Sequence, residues 1–77
     1  MANDSALRAD IEAELEFEPS VDAANIGVAV KDGVATLTGY VTSYAQKLAA
    51  ERAAGRVKSL RAVAEEIEVR LPFEVKQ

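Results

Sequence analysis

The stretch Ile26-Gly27-Val28-Ala29-Val30-Lys31-Asp32-Gly33-Val34-Ala35-Thr36-Leu37-Thr38-Gly39-Tyr40-Val41 decides the fold. Ile26, Val28 and Val30 alternate with Gly27, Ala29 and Lys31, the period of a strand with one buried face. Asp32-Gly33 is a preferred type I′ pair, because both central residues of that turn need positive φ. A two-residue loop then sets Lys31 against Val34, Val30 against Ala35, Val28 against Leu37 and Ile26 against Gly39. With Val41 added, that face is wholly apolar apart from the glycine. The other carries Gly27, Ala29, Lys31, Val34, Thr36, Thr38 and Tyr40. Turn and pattern agree on one register, as a one-sided sheet requires.

Upstream, Leu7, Ile11 and Leu15 recur every four residues, with Asp10, Glu12, Glu14 and Glu16 off that stripe, so a helix is expected. Asn3, Asp4 and Ser5 are all suitable N-caps, and Asp4 complements the helix dipole. Pro19 ends the helix, and Val21 to Asn25 reads as a short loop with Val21 turned inward. Downstream, Ser43-Tyr44-Ala45-Gln46 has the form of a capping box. It opens a second helix whose expected inner face is Ala45, Leu48, Ala49, Ala53 and Val57, with Gly55 or Ser59 near its end. Ala62 to Leu71 reads as a third strand: Val63, Ile67, Val69 and Leu71 face inward, while Glu66, Glu68 and Arg70 face out. Glu65 shares the inward parity, so a strand start, bulge or sheet end is expected there. Pro72 closes the strand, and Phe73 and Val75 would suit a short docked extension.

The order helix, strand, strand, helix, strand predicts an α+β fold. The right-handed crossover rule makes the third strand parallel to the second, giving a two-layer sandwich: a three-stranded mixed sheet covered on one face by two helices. The chain is expected to be one domain over residues 1–77, with its core at about 4–71 and a tail at 72–77.

Composition excludes much chemistry. The 77 residues include no cysteine, histidine or tryptophan. There is thus no thiolate nucleophile, cysteine-held metal or disulfide, and no imidazole for general base work or metal ligation. The serines have no histidine to activate them. Aromatic residues make up 5% and the net charge is −4, which argues against base stacking and against phosphate binding in nucleic acid. No apolar run approaches the roughly 20 residues of a membrane-spanning helix. Met1 to Ser5 shows no signal-peptide pattern. As written, the chain is expected in the cytoplasm, or in the periplasm if excised from an exported protein. No catalysis and no cofactor are expected.

The run from Asp32-Gly33-Val34 through Leu37, Gly39 and Val41 resembles the core signature of the BON domain, the bacterial osmotically inducible and nodulation domain. The resemblance extends to Ile26, Val28 and Val30, to the alanine-rich helix with Ala49, Ala53 and Ala54, and to Val63, Ile67 and Val69. It spans residues 4 to 71. Two departures from the family pattern stand out. Ser59-Leu60 stands where the family carries a glycine and a valine, and Glu65 stands where it often carries an asparagine. The resemblance implies two helices on a three-stranded mixed sheet. It also implies a non-enzymatic role in binding phospholipid membranes, in envelope maintenance under osmotic stress.

Asp32, Gly33 and Gly39 are read as structural: the first two by turn chemistry, Gly39 by a close helix–sheet approach. The charge is segregated. Residues 1–18 hold six acids against Arg8, a balance of −5, while residues 43–61 hold Lys47, Arg52, Arg56, Lys58 and Arg61 against Glu51, a balance of +4. One reading is two solvated helix faces that attract each other. The other is a basic patch for anionic lipid headgroups, with Tyr40 and Tyr44 at the membrane interface. A protein-interaction module using a strand edge or the mixed sheet face is the alternative function. A third is an ion-sensing domain, because a cation held by backbone carbonyls leaves no trace in sequence.

Overall fold

In the computed structural model, residues 3–71 are described, and the expectations for Pro72, Phe73 and Val75 lie outside them. The elements are α1 (Asp4–Glu16), a 3₁₀ turn (Ala23–Asn25), β1 (Ile26–Lys31), β2 (Val34–Val41), α2 (Tyr44–Gly55) and β3 (Ala62–Val69). The strands lie in the order β1-β2-β3, with β1 antiparallel and β3 parallel to β2. This is the mixed α+β architecture expected from the element order.

The hairpin holds the register derived from the sequence, from Lys31 opposite Val34 to Ile26 opposite Gly39. Asp32 and Gly33 have φ of 53° and 80°, so both turn residues are left-handed, as a type I′ turn requires. α1 is capped by Asn3, whose Oδ1 accepts from the Ala6 N–H at 3.2 Å. It buries Leu7, Ile11 and Leu15. Val21 is buried, and the segment read as a loop contains the 3₁₀ turn, capped by Asp22. Ile11, Leu15 and Val21 meet Ile26, Ala35, Leu37, Val41 and Ile67 in one core between sheet and helices.

Ser43 caps α2 by accepting from the Gln46 N–H at 3.2 Å. The Gln46 side chain reaches back one residue beyond the cap, accepting from the Thr42 N–H at 2.8 Å. The inner face of α2 differs from expectation. Ala49, Ala50, Ala53 and Ala54 are buried, whereas Ala45 is exposed and Leu48 is 43% exposed. The four alanines let the helix settle closely onto the sheet and α1. A leucine on that side would hold it away.

β3 also departs from the sequence reading. It stops at Val69, although the Arg70 N–H still donates to the Val41 carbonyl at 2.7 Å. Glu65 causes no bulge or break: register with β2 is continuous from Ala62 to Val69, with Glu65 opposite Leu37. The inward carboxylate is tolerated because Lys47 of α2 lies over it, Nζ to Oε2 3.8 Å.

Candidate binding surface

α2 places two kinds of side chain on its solvent side. Tyr44 and Leu48 are 63% and 43% exposed, and Arg52, four residues further on, is also exposed. Residues four apart lie on one helix face, so these three form a stripe about 12 Å long by helical rise. None of them is used by the core. Arg52 and Lys58 have no ion-pair partner among the described residues.

The other cations of the basic segment are engaged. Arg56 donates from Nε to Glu14 Oε1 at 2.9 Å, and its Nη2 lies 3.4 Å from Glu18 Oε2. The hydrogen bond to Glu14 first, and then Glu18, raise the Arg56 guanidinium above its ordinary pKa against the opposing effect of burial. Attraction between the acidic first helix and the basic second one is thus focused in Arg56. Lys47 lies over Glu65 and 5.7 Å from the Tyr44 ring centroid. The stem of Arg61 crosses Gly33, and its Nη1 donates to the Asp32 carbonyl at 3.4 Å.

The two tyrosines do not share a surface. Tyr40 alternates with the buried side chains of β2 and so lies on the uncovered sheet face, where the Arg70 guanidinium sits 4.5 Å from its ring centroid. Arg70 in turn bonds Glu68, Nε to Oε1 2.8 Å. The parallel register sets Glu68 opposite Tyr40, so this pairing was available from strand parity.

The remaining singled-out residues serve the backbone. Gly39 has φ of 113°, and a Cβ there would collide with the Asn25 carbonyl oxygen. Its close approach is therefore to the 3₁₀ turn, not to an α-helix. The hairpin tip has a partner that the sequence did not suggest: Asp4 accepts from the Asp32 and Gly33 N–H groups at 2.9 and 3.1 Å.

No helix among the described residues is long and apolar enough to cross a membrane. Among them, no three acidic side chains come together in a group that could hold a metal ion. A cleft of about 360 Å³ between α1 and the 3₁₀ turn is lined by Glu12, Leu15, Glu16, Ala23, Ala24 and Ile26.

The family model of the BON domain matches residues 3–70, which include every helix and strand described above. No curated protein matches the chain. By that family match the chain belongs to the BON domain family, a family of non-catalytic binding modules.

Proposed function

We propose that this chain is a non-catalytic module that associates peripherally with anionic phospholipid membranes, in maintenance of the bacterial envelope or protection from osmotic stress. The observation that carries the proposal is the outer stripe of α2, where Tyr44, Leu48 and Arg52 stand exposed together. A tyrosine suits the headgroup level, a leucine supplies apolar area, and each cation near the surface contributes about 1 kcal/mol. Lys58 adds a second free cation. Lys47, Arg56 and Arg61 contribute less because carboxylates or the hairpin already hold them. With one leucine and no Phe or Trp on this face, binding is weak, reversible and salt-sensitive.

Co-sedimentation with vesicles of anionic and of neutral lipid tests the proposal. At low salt the chain should pellet with the anionic vesicles and stay in solution with the neutral ones. Equal behaviour with both would overturn the reading.

A further inference from the structure

β3 is an edge strand, and among the described residues no strand pairs with its far side. Such an edge presents a row of unpaired N–H and C=O groups along alternate residues. Natural sheets blunt such edges with prolines, bulges, lysines or inward charges. Between Ala62 and Val69 there is no proline or lysine, and the register with β2 is unbroken. The devices present are acidic: the inward Glu65 and the exposed Glu66 and Glu68.

The chemistry along this edge is acidic and apolar. Glu65 faces α2, with 15% of its side chain exposed, and its Oε2 is buried without a hydrogen bond; the nearest cation, Lys47 Nζ, is at 3.8 Å. Glu66 is exposed on the other face with no ion-pair partner among the described residues. Val63 is 37% exposed on the helix-facing side. An uncharged strand added here would further desolvate the Glu65 carboxylate without giving it a donor, a cost that disfavours it. A second copy of β3 paired antiparallel about the strand centre would set Glu65 and Glu66 against the same acids of its partner, which is unfavourable. An incoming strand with cationic side chains would instead supply the missing donor and neutralise Glu66.

We propose that the outer edge of β3, beside α2, is a docking site for an extended basic polypeptide segment that adds as a fourth strand. Backbone hydrogen bonds give the affinity, and Glu65 and Glu66, on opposite faces of the strand, select lysine or arginine at two consecutive positions, one facing each side of the sheet. This surface is distinct from the outer stripe of α2, and the inference does not depend on lipid binding.

The test is titration of isotope-labelled protein with a capped peptide that has a central lysine pair flanked by valines, followed by amide shifts and hydrogen exchange. One control peptide replaces lysine with glutamate, and another replaces valine with glycine, which keeps the charge but removes strand preference. The lysine–valine peptide should shift residues 62–69 and slow exchange of their outward amides, and neither control should do so. Glu66→Lys, at an exposed position, should weaken binding about threefold while leaving anionic-vesicle binding undiminished. Glu65→Gln should reduce the preference for lysine over threonine in the peptide. Shifts centred on β1 or α1, equal effects of the lysine–glycine control, or no shift at millimolar peptide would each overturn the proposal.

Discussion

Asp4 and Gly33 stand 29 residues apart in the chain, yet the Gly33 N–H donates to Asp4 Oδ1 at 3.1 Å. The other oxygen of the same carboxylate accepts from the Asp32 N–H at 2.9 Å. One acid in the first turn of α1 thereby holds the tip of the hairpin, while Arg61 crosses the turn and donates to it. Asp4→Ala should cost about 1.5 kcal/mol, because the two donors lose an ionised acceptor but keep access to water. Urea unfolding measures this, with a lower midpoint and an unchanged slope.

Two glycines should respond oppositely to alanine. At Gly39 the added methyl would meet the Asn25 carbonyl, and φ of 113° is hostile to any side chain. Gly39→Ala should cost about 3 kcal/mol or prevent folding. Gly55, in the last turn of α2, has nothing within 4 Å of a built Cβ, so Gly55→Ala should stabilise by about 0.5 kcal/mol. Thermal melting of the two variants checks both signs.

The Lys47–Glu65 pair is largely shielded, with 26% and 15% of the side chains exposed. Removing the cation alone strands a carboxylate between α2 and the sheet, so Lys47→Ala should cost about 2 kcal/mol. The double substitution Lys47→Leu with Glu65→Val should recover most of that loss, since an apolar pair fits where an ion pair was. A double-mutant cycle in denaturant decides it: strictly additive losses would contradict this account of the pair.

On the outer face of α2, Arg52→Ala should weaken binding to anionic vesicles about fivefold, the equivalent of one surface cation. Arg56→Ala should weaken it less, because Glu14 and Glu18 already hold that guanidinium. Leu48→Ala should weaken binding without loss of stability, since the core does not use this side chain. Vesicle titrations at two salt concentrations, paired with melting curves, separate these effects.

The hairpin was legible because two independent signals, the period of two and Asp32-Gly33, demand the same register. The rotation of α2 was not. Ala45, Ala49, Ala50, Ala53 and Ala54 offer small apolar side chains on most sides of the helix, so only packing against α1 and the sheet decides which are buried. The sequence pattern therefore points Leu48 at the core, and only the packed structure sets it beside Tyr44 and Arg52 on the exposed side. Glu65 was legible as a conflict between parity and charge. Its resolution lies 18 positions earlier, in Lys47, where no local pattern points to it. Asp4 looked complete as a first-turn acid, and nothing nearby in sequence marks its bonds to the hairpin tip.

The exposed stripe of α2 is the proposed binding surface for anionic membranes. It is tested most directly by amide shift perturbation of labelled protein on addition of anionic lipid vesicles. Attenuation or shifts should centre on Tyr44, Leu48 and Arg52, spread to Lys58 and fade as salt rises. Perturbation centred on α1 or the uncovered sheet face, or none at low salt, would contradict it.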